Sequence, residues 1–136
     1  MVKANIGDTN IFNITDPTEY RCQIYHYHSR VSRLYISLLK GQQNIPIMHL
    51  LFSDVAFFDC PVNWQGADFS IGDKDACIEL MLERGLIGQA ILQFPNAYAS
   101  ITDYARLYVC VTSTGVPVRL IANAASMIKS LPPELG

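Results

Sequence analysis

The sequence predicts an α+β domain of mainly antiparallel β-structure, either a β-sandwich or a partly open barrel, with one packed helix at about residues 73–85. Two observations favour this fold class. Most of the chain divides into short segments rich in β-branched and aromatic residues and bounded by turn residues, a pattern typical of strands. Only one stretch carries clear helix signals, whereas a parallel doubly wound sheet requires helices that alternate with strands.

The first long strands are expected to form a hairpin. Residues 20–28 and 33–39 are rich in aromatic and β-branched residues, and no helical cap separates them. In the second segment the aliphatic residues alternate with polar or amphipathic ones, which predicts one buried face. Further extended segments are predicted at residues 11–14, 47–52 with 56–58, 67–71, 90–94, 106–112 and 116–127. A glycine-containing turn, Ser113-Thr114-Gly115, joins the last two.

The helix is predicted from its two ends and its apolar surface. Asp73 can accept a hydrogen bond from the first-turn amides, and Gly85 can adopt the left-handed conformation that ends a helix. Between them, apolar side chains cover most of the circumference and leave Glu79 and Glu83 on a narrow polar stripe. The helix is therefore expected to pack deeply.

The length of 136 residues predicts a single globular domain at residues 1–130. Residues 131–136 contain two prolines and little to bury, so they are expected to form a flexible C-terminal tail.

Composition points to association with another protein. Half of the residues are hydrophobic and only 16% are charged, compared with about 25% charged in typical domains. Some apolar surface is therefore expected to be covered by a second copy or a partner, and we predict a homodimer, with another protein partner as an alternative. The net charge of −2 gives no attraction to nucleic acid.

A cytoplasmic location is predicted. The start of the chain lacks the basic end and apolar run of a secretory signal. The cysteines, at 22, 60, 77 and 110, lie in apolar surroundings and are interpreted as reduced core residues. The most apolar window is interrupted by polar residues and is too short to span a bilayer, so no membrane segment is expected.

The stretch Cys22-Gln23-Ile24-Tyr25-His26-Tyr27-His28 raises the question of metal binding. On a regular strand Cys22, Ile24, His26 and His28 share one face. The histidine pair can chelate zinc or copper if His49 or Cys60 supplies a third ligand. Nothing else in the chain has ligand spacing, so we predict no metal and no cofactor.

Aromatic residues supply the other candidates for a binding site. Trp64, the only tryptophan, either closes the end of the core or anchors a partner from an exposed loop. Tyr25, Tyr27, Tyr35 and Tyr108 are expected to share the sheet face opposite the aliphatic rows, where they form a flat surface suited to a protein interface.

No motif for acyl transfer, phosphate binding or dinucleotide binding is present, so catalytic residues are not predicted. The first hypothesis is a small binding or assembly module that self-associates through the tyrosine-rich face. The alternative is a metal-binding or small-molecule pocket protein, or a hydrolase, in which the ligand site is formed by His26, His28, His49 and Trp64.

Overall fold

The computed structural model describes residues 9–133, which form an α+β structure dominated by antiparallel strands. The strands, in chain order, are β1 (Tyr20–His28), β2 (Arg33–Lys40), β3 (Met48–Ser53), β4 (Phe57–Asp59), β5 (Asn63–Gln65), β6 (Asp68–Ile71), β7 (Arg106–Val111), β8 (Val118–Ala122) and β9 (Ala124–Ile128). The first sheet has the order β5-β1-β2-β3-β9, and the second sheet has the order β4-β8-β7-β6. The predicted fold class is confirmed, and the two sheets are open and do not close into a barrel.

The main hydrophobic core lies between the two sheets. The first sheet contributes alternate residues of its strands, and Phe52 lies at the centre of a cluster of aromatic rings. Its ring centroid is 6.0 Å from that of Phe12, 5.5 Å from that of Phe69 and 5.2 Å from that of Tyr108. Because the fully buried rings come from both sheets, this cluster holds the sandwich together.

The predicted helix is confirmed as α1 (Lys74–Glu83). The Asp73 carboxylate accepts a hydrogen bond of 2.7 Å from the backbone N–H of Ala76, and Gly85 has a φ of 73° just beyond the last turn. The helix packs on the face of the second sheet that is turned away from the first sheet. A second core cluster forms there from Cys77, Leu80, Met81, Ala105, Leu107 and Ile121.

Three expected strands are wrong or incomplete. Residues 90–93 lie within the 3-10 helix Gln89–Gln93, which Phe94 caps, and a second α-helix, α2 (Ala97–Tyr104), follows it. Residues 11–14 form no strand, although Phe12 and Ile14 are buried in the sandwich core. The segment at 116–127 is divided at Asn123 into β8 and β9, which belong to different sheets.

The chain passes between the sheets at short irregular points. Asp54, which follows β3, has a φ of 52°, and the next strand, β4, lies in the second sheet. At a second crossing Gly66 joins β5 to β6 with a φ of 119°. A side chain at Gly66 would place its Cβ only 2.5 Å from the carbonyl oxygen of Val111, so the crossing requires glycine.

The predicted domain limits extend beyond the described residues. The domain at 1–130 includes residues 1–8, and the flexible tail at 131–136 includes residues 134–136, all of which lie outside the described part. These limits therefore stay a prediction. Within residues 9–133 neither helix is long and apolar enough to cross a membrane.

Candidate functional site

The histidine pair lies on the opposite face of β1 from the residues expected beside it. The β1–β2 register shifts between Ile24 and His26, where Tyr25 is an additional residue in β1, a β-bulge. Because the bulge reverses the alternation, Ile24 and Tyr27 pack toward the sandwich core, while His26 and His28 lie on the outer face of the first sheet. The predicted row of Cys22, Ile24, His26 and His28 is therefore wrong.

The imidazoles of His26 and His28 lie side by side, with ring centroids 5.8 Å apart. The neighbouring residues on β2 are Tyr35, opposite His26, and Arg33, opposite His28. Neither is an anionic ligand. Across residues 9–133 no group of three or more His, Cys, Asp or Glu side chains is arranged to hold a metal ion.

His49 lies on the outer face of the same sheet but in a different environment. It is buried in β3 opposite Ser37, and its Nδ1 lies 3.3 Å from the Ser37 Oγ. Burial lowers the pKa of His49 below its usual value. The ring of Tyr25 approaches the imidazole, with centroids 6.1 Å apart. These contacts favour a neutral histidine that stabilises the sheet.

The two candidates for a third metal ligand, His49 and Cys60, lie apart on opposite sides of the first sheet. Cys60 packs against the sandwich core, on the side of the first sheet that His49 does not face. Burial raises the pKa of Cys60 to about 11 and that of Cys110 to about 12. Thiols with such pKa values are protonated at neutral pH and are poor nucleophiles.

Trp64 belongs to the core. It lies in β5 opposite Cys22, has 5% of its surface exposed, and its ring centroid is 6.4 Å from that of Phe69. Its indole N–H is buried without a hydrogen-bond partner of good geometry. The structure therefore does not bring Trp64 together with the histidines or expose it as a loop anchor.

Two thiols meet beside this tryptophan. Cys22 of β1 and Cys110 of β7 both donate to the carbonyl oxygen of Gly66, over 3.4 Å and 3.5 Å respectively. Because one thiol comes from each sheet, this carbonyl links the sheets at the point where the chain crosses between them. Burial raises the pKa of Cys22 well above its usual value, which is consistent with a structural role.

The four tyrosines do not form the expected common surface. Tyr25 is exposed on the bulge, whereas Tyr27 packs toward the core and against Phe58, with ring centroids 5.2 Å apart. Tyr35 is buried on the outer side of β2, and Tyr108 is buried between the sheets. The predicted tyrosine-rich face is wrong because the bulge reverses Tyr27 and because Tyr108 faces the first sheet.

Two open hollows contain none of the predicted ligand residues. One, of about 480 Å³, lies between α1 and the second sheet and is lined by Ala76, Glu79, Leu80, Glu83, Leu107 and Arg119. At its edge Arg119 donates to the Asp59 carboxylate over 2.9 Å. The other, of about 570 Å³, is formed by residues 43–47. Neither hollow is lined by a histidine or by Trp64.

The most unusual surface is a segment that sequence reasoning missed. We call residues 86–104 the apolar lobe; it comprises the Gln89–Gln93 turn, α2 and their flanks. Asp103 is its only charged residue. Nevertheless Thr102 is its only buried side chain. The large side chains that it exposes are Leu86 (38%), Ile91 (41%), Phe94 (67%), Tyr98 (41%) and Tyr104 (59%).

The apolar lobe is attached to the body of the protein by a few contacts. Ile87 and Ile101 pack against the second core cluster, and the hydroxyl of Tyr98 donates to the Asp75 carboxylate of α1 over 2.6 Å. This hydrogen bond raises the pKa of Tyr98 to about 12. The position and orientation of the lobe are thus fixed while most of its apolar surface faces solvent.

Comparison with known proteins finds no match to a protein-family model, to a curated protein or to a solved structure.

Proposed function

We propose that the protein is a binding and assembly module that associates with a second copy through its apolar lobe. The observation that carries this proposal is the combination of a single charge with five exposed large apolar side chains in residues 86–104. Surfaces of this composition are rare on monomers and typical of interfaces. A cytoplasmic location is part of the proposal.

The lack of charge favours a second copy as the occupant. In a two-fold contact the same patch lies on both sides, so a patch that carries several charges of one sign repels its own copy. The apolar lobe contains only Asp103 to oppose such a contact. Its exposed tyrosines, Tyr98 and Tyr104, combine a large apolar ring with a hydroxyl that tolerates partial hydration.

A charge placed in the lobe should weaken association through the lobe without unfolding the chain. Phe94→Glu replaces the most exposed aromatic ring of the lobe, and desolvating the new carboxylate in a contact would weaken binding by about 2 kcal/mol or more, roughly 30-fold. The measurement is the dissociation constant from sedimentation equilibrium at micromolar concentrations. Circular dichroism should show an unchanged fold.

Ile45→Glu is the matched control. Ile45 is 78% exposed but lies in the loop between β2 and β3, outside the apolar lobe. This variant should associate like the wild type. Equal association of the Phe94 variant and the wild type would exclude the lobe as the contact, and equal loss in both variants would show that any added charge suffices.

A further inference from the structure

The strand β9 presents an open edge of the first sheet. It pairs with β3 along its full length, from His49 opposite Ile128 to Ser53 opposite Ala124, and the register has no bulge. Within residues 9–133 no strand pairs with its other side. The outward-pointing N–H and C=O groups of such an edge can accept another extended strand.

The features that usually protect an edge are missing from β9. Its sequence, Ala124-Ala125-Ser126-Met127-Ile128, has no charged residue and no proline. The other sheet edges are shorter or covered. β4 and β5 have three residues each. On β6 the carbonyl oxygen of Phe69 accepts a hydrogen bond of 2.9 Å from the backbone N–H of Ile11. β9 is therefore the edge most open to pairing in the described part of the chain.

We propose that β9 pairs antiparallel with β9 of a second copy, about a two-fold axis that passes through Ser126. In this register Ser126 lies opposite its own equivalent, Ala125 lies opposite Met127, and Ala124 lies opposite Ile128. Each large side chain thus meets a small one, and no like charges meet within the strand. The first sheets of the two copies then form one continuous sheet.

The β9 contact is separate from the apolar lobe and goes beyond the function proposed for the lobe. β9 belongs to the first sheet, whereas the lobe is attached to the helical side of the second sheet. A chain with two different self-complementary surfaces forms assemblies larger than a dimer, such as tetramers with three two-fold axes. Each surface can therefore be tested while the other is intact.

A lysine at the proposed axis tests the pairing. Ser126 is exposed on an edge strand, so Ser126→Lys should fold normally, whereas in the paired state it would place two like charges directly opposite each other. Light scattering coupled to size exclusion should show the wild type above twice the chain mass of 15.2 kDa. The Ser126 variant and the Phe94→Glu variant should each be reduced to a dimer, and the double variant to a monomer.

The masses of the wild type, the two single variants and the double variant distinguish loss of the β9 contact from loss of the lobe contact. Ser113→Lys, on the exposed turn between β7 and β8, is the matched control and should behave like the wild type. If the Ser126 variant keeps the wild-type mass, or if Phe94→Glu alone yields a monomer, β9 pairing is excluded. If Ser126→Lys alone yields a monomer, the lobe contact is excluded and β9 pairing stands.

Crosslinking tests the register directly. In an antiparallel pair, opposite Cα atoms are about 4.5–5.5 Å apart, which lies within the range that a disulfide spans. Ser126→Cys should form a covalent dimer under mild oxidation with copper phenanthroline. Ser130→Cys should not, because its two copies would lie about 26 Å apart along the paired strands. Crosslinking of both variants, or of neither, would exclude a two-fold axis at Ser126.

Discussion

Phe52, at the centre of the sandwich, has no exposed surface, whereas Phe94, in the apolar lobe, leaves 67% of its surface exposed. The two regions share residue types: Phe, Tyr, Leu and Ile supply much of the sandwich core, and eight of the 19 residues of the lobe are of the same types. In the sandwich these side chains pack from two sheets onto one another, and their burial drives folding. In the lobe they find few neighbours within the chain.

The difference separates two uses of apolar residues. The fold of a single chain accounts for the apolar residues of the sandwich, because removing any of them leaves a cavity. The fold of a single chain does not account for the apolar residues of the lobe. These side chains remain in contact with water, so folding gains little free energy from burying them. Substitutions in the sandwich should therefore change stability, and substitutions in the lobe should change association.

The largest expected effect comes from truncating matched phenylalanines. Phe52→Ala removes a ring that contacts the rings of Phe12, Phe69 and Tyr108, and it should lower the free energy of unfolding by about 3–5 kcal/mol. Phe94→Ala should change that free energy by about 0.5 kcal/mol or less. Urea denaturation of both variants, at a concentration low enough to keep the chain monomeric, measures the difference. Similar losses would contradict the division between the two regions.

A smaller effect is expected from matched glycines. Gly66→Ala introduces a Cβ 2.5 Å from the Val111 carbonyl oxygen, at a φ of 119° that alanine rarely adopts, and it should lower stability by about 2–3 kcal/mol. Gly88, at the start of the lobe, has a φ of −99° and open space around it, so Gly88→Ala should be within about 0.5 kcal/mol of the wild type. The measurement is the midpoint temperature of thermal unfolding of both variants and the wild type. A tolerated alanine at 66 would show that the crossing between the sheets can rearrange.

Local signals in the sequence were sufficient for the fold class. The cap formed by Asp73, the helix end at Gly85 and the turn at Gly115 each depend on residues close in sequence, and all three are confirmed. The helix α2 has no comparable signal. Its N-cap, Asn96, adopts a left-handed conformation and makes no side-chain capping bond.

The site predictions depended on which face a side chain occupies, and this information is not local. The bulge at Tyr25 reverses every later residue of β1, yet no glycine or proline marks it. On β7 both faces are buried, Tyr108 against the first sheet and Leu107 against α1, so alternation between apolar and polar residues is weak there. The apolar lobe did have a detectable signal, because residues 86–104 contain a single charged residue.

The smallest expected effect concerns the outer face of the first sheet. Burial lowers the pKa of His49 in the folded chain, while in the unfolded chain an imidazole titrates near pH 6.5. Below that pH the unfolded chain binds more protons than the folded chain, so stability is lost as the pH falls from about 6.5 toward the folded-state pKa of His49.

His49→Asn keeps a hydrogen-bonding group beside Ser37 but cannot titrate, and it should lose less stability than the wild type between pH 7.5 and 5. His26→Asn removes an exposed imidazole from the same face and serves as the comparison variant. Urea unfolding at several pH values measures all three proteins, and an identical slope for His49→Asn and the wild type would show that this buried imidazole does not control acid stability.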